Sequence, residues 1–406
     1  MAESGMNVCL VGGGMFVHDV ILPSLYHQQR TGVIGEITVC ATKSASLRKL
    51  AANPELQAAF PGQTFRPYPA LDASDDICDA ELYRTVLSKL PPRQAVIVAL
   101  PDPLHHEAVM SALGHDQHVL CVKPLVLTHR ESMEISQRAR ERGLFVGVEY
   151  HKRFDRRSLI ARGDYRLGKF GSFAFGEARL MEPYHYRNSN FQNWFTCDQT
   201  DPFVYVGCHY TDLLQFITGL RPVEVAVIGV KGVFPNGNEG YMWSTGRVTY
   251  ENGGVLTVAN GLGYPDEGAG SNDQGMTLYF EGDGRTGAIK HDDQYRGVSH
   301  SYAVGTGPGG TAFNFVNPDF MRYLPWEGPG FRPAGYGFES ISGILAAIQR
   351  VEASGDDREA RLATITAIDK KGLIATPENS ADNERLIEAA RESILNDGRP
   401  VIIQPV

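Results

Sequence analysis

Short, unbroken apolar runs alternate with amphipathic stretches through the first 150 residues. Asn7–Val11, Ile37–Ala41, Ala95–Leu100, Val119–Val122 and Leu144–Val148 are each rich in Val, Ile and Leu, as strands buried on both faces require. Helical spacing separates them. It runs through Ile21, Leu22 and Leu25, over residues 44–59, over 79–90 to the Pro91-Pro92 stop, and from Leu104 to Gly114. A Thr128/Glu131 capping box opens another helix, which Gly143 closes. Apolar strands separated by amphipathic helices predict a doubly wound, Rossmann-like α/β domain with a parallel sheet, spanning residues 6–150.

The pattern changes after Gly171. Segments 171–180, 223–230, 243–250, 254–260 and 275–281 are strand-like without regular intervening helices, which predicts a largely antiparallel open sheet. One helix, His209–Ile217, interrupts them before Gly219, and helices return at 339–352, 361–369 and 383–395. The aromatic- and glycine-rich stretch Gly305–Gly330 shows no period and reads as a lid or interface arm. Residues 151–406 are therefore expected to form an α+β domain for substrate binding and oligomerisation. Apolar positions on both faces of Val223–Ile228 and Gly254–Val258 point to a homodimer or homotetramer built on the sheet.

Composition narrows the class. A net charge of −9 and the absence of a long Lys/Arg block argue against nucleic acid; the short basic cluster is Lys152–Arg157. No run of 18 apolar residues exists, so no membrane span is expected. Residues 1–5 lack the basic-then-apolar order of a signal peptide. The six cysteines show no CxxC spacing and read as reduced thiols of a cytoplasmic protein.

Candidate chemistry gathers at predicted strand ends. Gly12 permits a tight turn, Gly14 allows close backbone approach to a pyrophosphate, and Met15 and Phe16 start the following helix. Val17 replaces the third small residue of G-x-G-x-x-G/A. The second strand ends in Thr42 and Lys43, with Arg48 a turn later and no acid for a ribose hydroxyl, which favours NADP over NAD. Lys123 closes the Val119–Val122 strand and can stabilise a developing alkoxide. His209 and Asp212 share a helical face, and histidine suits proton abstraction from an alcohol. Neither pair nor cluster offers a convincing third metal ligand, so no metal is expected. Tyr184, Tyr186, Arg187, Asn193 and Trp194 interleave rings with polar groups, a pattern suited to a polyhydroxylated ligand. His291–Arg296 forms a further acidic loop.

Together these motifs resemble the glucose–fructose oxidoreductase / inositol dehydrogenase / rhizopine catabolism (Gfo/Idh/MocA) family. Pro101-Asp102-Pro103-Leu104-His105 resembles its P-x-x-x-H turn, Val122-Lys123-Pro124 its E-K-P motif, and Gly207-Cys208-His209-Tyr210-Thr211-Asp212 its G-x-H-x-x-D segment. The resemblance implies Pro101, His105 and Lys123 at a nicotinamide cofactor, with Lys123 and His209 flanking a reactive hydroxyl. It implies NAD(P)-dependent hydride transfer to or from a secondary alcohol of a sugar, glycoside or cyclitol. A redox-neutral glycoside-cleaving enzyme and a non-catalytic cofactor-binding scaffold are the alternatives. Two positions depart from the pattern: Val122 stands for the glutamate, and Tyr205 for an aspartate expected two residues before Gly207. Tyr205 and Asp212 are then expected at the substrate.

Overall fold

A computed structural model describes residues 5–268, 272–282, 284–292, 301–307, 310–315 and 320–404. The chain divides into two compact units. The first comprises residues 1–126, 130–154 and 320–380, and the second comprises 127–129, 155–319 and 381–406.

In the first unit, six parallel strands lie in the order β3-β2-β1-β4-β5-β6. They are β1 (Val8–Val11), β2 (Ile37–Cys40), β3 (Arg66–Tyr68), β4 (Ala95–Val98), β5 (His118–Val122) and β6 (Val146–Glu149). Every residue of β1, β2, β4 and β6 is buried, as expected of strands covered on both faces. The order reverses direction between β1 and β4, which places a crevice beyond the carboxyl ends of these strands. The helices are α1 (Leu22–Arg30), α2 (Ser44–Ala51), α3 (Pro54–Ala59), α4 (Leu82–Leu87), α5 (His105–Gly114) and α6 (His129–Arg142). A π-helical turn, Val17–Ile21, leads into α1.

The helix expected over 44–59 is two helices. Pro54 cannot donate to a continuing ladder, and the Asn53 side chain accepts the Leu56 amide at 2.9 Å, starting α3 afresh.

Of the second unit, α7 (Arg156–Arg166) was not anticipated; Asp155 caps it by accepting the Arg157 amide at 3.0 Å. The large sheet runs β12-β11-β7-β10-β9-β8-β17. Its strands are β7 (Ser172–Pro183), β8 (Pro222–Val233), β9 (Glu239–Tyr250), β10 (Val255–Tyr264), β11 (Asp273–Gly282), β12 (Arg285–Asp292) and β17 (Val401–Ile402). Pairing is antiparallel except between β7 and β10. Helices α8 (Cys208–Thr218) and α11 (Ala381–Leu395) bury Leu213, Leu214, Ile217, Leu386 and Ile394 against one face.

The expected 305–330 arm is resolved into two hairpins, β13 (Ser301–Gly307) with β14 (Gly310–Phe315) and β15 (Arg322–Pro325) with β16 (Phe331–Ala334). Residues 293–296 of the expected acidic loop lie outside the described residues.

The division at residue 150 does not match the compact units. Residues 320–380 return to the first one, carrying α9 (Tyr336–Glu352) and α10 (Arg358–Lys371). Ile341, Ile344, Leu345, Ile348 and Val351 of α9 share one apolar core with Val8, Leu10, Leu25 and Phe145. A 3.6-residue apolar stripe states that a helix has a buried face, not which sheet covers it. Truncating Ile344 to Ala would cost roughly 2–5 kcal/mol, the usual range for a fully buried aliphatic side chain.

Candidate functional site

The sequence-predicted residues of the first unit assemble at the carboxyl edge of the parallel sheet. β1 ends at Val11 and turns through Gly12, whose φ of +126° suits glycine alone. A Cβ there would lie 2.1 Å from the Ala99 carbonyl oxygen of the adjacent β4 turn. A Cβ at Gly14 would meet nothing within 4 Å, so the backbone is open on that side, and Met15 beside it is exposed. This tight turn with an uncovered second glycine, feeding a helix start, fits a dinucleotide pyrophosphate.

At the next strand, Thr42 and Lys43 are exposed, whereas Arg48 is engaged. Its guanidinium lies 2.5 Å from both carboxylate oxygens of Asp75 and donates to the Ser44 hydroxyl and Leu71 carbonyl at 2.8 Å. Ser44 also reaches Asp75 at 3.1 Å. Hydrogen bonds from Arg48 and Ser44 hold the Asp75 carboxyl below its ordinary range. An acid thus stands beside the end of β2, delivered from the loop after β3.

His105 is fully buried, its ring nitrogens 2.8 Å from the Pro124 and Leu100 carbonyls. It ties the turn after β4, which contains Pro101, to the turn after β5. Lys123 follows the last residue of β5.

Glu149 ends β6 opposite Val122 in the parallel ladder. It is almost fully buried, accepts the Ser340 hydroxyl at 2.6 Å, and lies 3.2 Å from His151 Nδ1. Lys152 and Arg153, read from sequence as part of a basic cluster, are also buried. The available signal was a carboxylate closing an otherwise apolar strand.

In the second unit, His209 and Asp212 lie in the first turns of α8 and are both buried. The start of that helix is fixed from below by Asn383 of α11, which accepts the Thr211 hydroxyl at 2.7 Å and donates to the Cys208 carbonyl at 3.3 Å. A Cβ on Gly207 would approach Asn260 Oδ1 to 2.7 Å, so glycine lets α8 sit against β10. Upstream, buried Asp201 accepts the Phe203 and Val204 amides and pairs with Arg391 at 3.2 Å. Burial raises its carboxyl against the lowering pull of Arg391 and those amides.

Tyr205 packs edge-on against Phe191, Phe195 and Trp194 at 5.2–5.7 Å. Tyr186 and Trp194 also face Phe191, at 4.9 and 5.0 Å. These three rings thus build a small aromatic core rather than an open platform. At the surface stand Tyr184 and Asn193, with the Arg187 guanidinium stacked 4.8 Å from the Tyr184 ring. Among the described residues, no group of three His, Cys, Asp or Glu side chains has metal-ligating geometry, and no helix is long and apolar enough to cross a membrane.

A parallel sheet in the order 3-2-1-4-5-6, with a glycine turn at its switch point, is the doubly wound topology of dinucleotide-binding domains. Residues 6–150 match the family model described as "Oxidoreductase family, NAD-binding Rossmann fold", the Gfo/Idh/MocA model. Over these residues the chain is similar to that family.

An uncharacterised oxidoreductase of Schizosaccharomyces pombe is 30% identical over 100 residues, 25% of this chain and 27% of that protein. UDP-N-acetylglucosamine 3-dehydrogenase of Acidithiobacillus ferrooxidans is 27% identical over 230 residues, covering 57% and 66% respectively. The chain spans between a fifth and two fifths of the length of the first curated relatives it matches. Among solved structures, scyllo-inositol dehydrogenase from Lactobacillus casei, with bound NAD(H) and scyllo-inositol, superposes with a TM-score of 0.62. It is 14% identical, with 98% of this chain and 99% of that one covered, a likeness of fold.

Proposed function

We propose that this protein is an NAD(P)-dependent oxidoreductase that moves hydride to or from a secondary alcohol carbon of a sugar, glycoside or cyclitol. The observation that carries the reading is the placement of Lys123 at the same sheet edge as the open Gly12–Gly14 turn, two strands away across β4. The named activities of the relatives, a sugar 3-dehydrogenase and a cyclitol dehydrogenase, support the substrate class.

A bound nicotinamide would supply the hydride acceptor or donor. Gly12, Gly14, Met15 and Phe16 would hold its pyrophosphate side, and Thr42 and Lys43 its ribose. Lys123 would contribute positive charge to an oxygen becoming an alkoxide; in the second unit His209, with Asp212 three residues on, would serve as proton acceptor. Tyr184, Arg187 and Asn193 would meet the substrate's outer hydroxyls, while Tyr186, Trp194 and Tyr205 shape the wall behind them.

For the cofactor's 2′-position we infer NAD rather than the NADP favoured by Lys43 and Arg48 alone, because the Asp75 carboxylate already occupies Arg48. The exposed apolar face of the large sheet supports a homo-oligomer. Lys123→Met is expected to lower turnover at least tenfold, about 1.4 kcal/mol of barrier or more, while leaving cofactor binding within a few-fold. Unchanged turnover on a substrate found by a sugar and cyclitol panel would remove Lys123 from the reaction.

A further inference from the structure

His151 occupies a junction that the proposed chemistry leaves unused. Its ring stacks on Tyr336 of α9 (5.5 Å, 26°) and, further off, on Phe16 of the glycine turn (6.3 Å, 28°). Phe320 closes a third side at 5.2 Å. Glu149 holds the ring's Nδ1, and Ser340 holds the other carboxylate oxygen of Glu149. A buried carboxylate is costly unless its oxygens are satisfied, and here both are, by groups from two different segments. Charged groups acting on the ring include Glu149 on its own strand end, Lys152 beside it, and Lys123 from the end of β5; the Tyr336 phenol is a further titratable neighbour. The ladder explains how Lys123 comes within range. Val122 and Glu149 are cross-strand partners, so the two turns that follow them leave the sheet side by side.

We propose that Glu149 and His151 are positioning residues for Lys123, bringing a carboxylate-anchored imidazole from the end of β6 beside the turn that carries the lysine. In the tautomer that donates from Nδ1 to Glu149, the neutral ring presents Nε2 as an acceptor. A neutral imidazole adds no repulsion to the neighbouring lysine, whereas an imidazolium would. Burial, aided by the positive charges of Lys152 and Lys123, holds His151 below the ordinary histidine range, while Glu149 pulls the other way. The neutral ring is thus the form present at neutral pH. The inference deepens the dehydrogenase reading by assigning how its lysine is held.

The test uses the intact, cofactor-free chain, so it stands or falls separately from any turnover. In histidine-labelled protein, the His151 ring signal, assigned by its loss in His151→Gln, is titrated by NMR. Lys123→Met should raise its midpoint by about half a pH unit or more, since a nearby cation is removed. Glu149→Gln should lower it. In parallel, acetylation of Lys123 is followed by peptide mass spectrometry against Lys231 as an internal reference. His151→Phe should change the Lys123 rate at least threefold, and His151→Gln, which keeps a hydrogen-bonding group, should lie closer to wild type. A His151 midpoint unmoved by Lys123→Met, or a Lys123 rate unmoved by His151→Phe, overturns the proposal. Should Glu149→Gln not fold, these two results decide it. Normal results here with no hydride transfer to any substrate would instead defeat the dehydrogenase reading.

Discussion

Asp75 shows how one side chain changes the meaning of another. Arg48 alone at the end of β2 reads as a 2′-phosphate clamp; Arg48 with a bidentate carboxylate at 2.5 Å reads as a neutralised pair. The pair is largely exposed, so its worth to stability is small, but its charge pattern faces the same strand end as Thr42 and Lys43. Calorimetric titration is therefore expected to show tighter binding of NAD than of NADP. Asp75→Asn, by releasing Arg48, should improve NADP binding about tenfold and narrow the gap. Tighter NADP binding by the wild type would restore the lysine–arginine reading. Val122, Lys123, His209 and the glycine turn were visible in the sequence because each falls at a predictable break in periodicity. Asp75, Asn383 and Asn260 were not, because their partners are 27, 172 and 53 residues away and no local pattern joins them.

Strands and helices were legible to the extent that their burial is periodic. β1, β2, β4, β5 and β6 follow from unbroken apolar runs, and α8 from its stripe and the left-handed Gly219 that ends it. β3 was missed because Arg66-Pro67-Tyr68 is short, polar and at the sheet edge, where neither face need be apolar. α9 was found, but its sheet was not, since packing partners are set by chain tracing rather than by the stripe. One contact now fixes that helix to the first sheet. His118 on β5 is buried, lies 2.8 Å from Glu352 Oε1 of α9, and accepts the Phe145 amide on Nδ1 at 2.9 Å. That arrangement needs a neutral ring with its proton on Nε2, and burial lowers the His118 affinity for a proton despite the pull of Glu352. The folded state therefore binds fewer protons than the unfolded one below the ordinary histidine value. Its stabilising contribution is complete above about pH 6.5 and is lost as pH falls toward the lowered folded value. Thermal unfolding should drop by several degrees between pH 7.5 and 5.5, and His118→Gln should flatten part of that slope. An equal slope in the variant would show that His118 is not the group responsible.

On the scale of the molecule, the second unit's large sheet packs α8 and α11 on one face, and among the described residues several apolar side chains of the other face are exposed. Ile228, Val230, Trp243, Phe175 and Tyr279 are exposed there, and the ladder sets Val230 beside Trp243 and Phe175 beside Tyr279. Paired apolar side chains on an open face mark an association surface more often than scattered ones do. Sedimentation at micromolar concentration should show a dimer or tetramer, and Val230→Glu should shift it toward monomer; a wild-type monomer would contradict this.

The reaction itself is tested most directly by isotope transfer. The protein is incubated with reduced cofactor carrying deuterium at both C4 positions of the dihydronicotinamide and a panel of keto-sugars and keto-cyclitols. The account predicts deuterium at a secondary carbinol carbon of at least one product, reduced at least tenfold by Lys123→Met. Saturable cofactor binding with no deuterium in any product would contradict it.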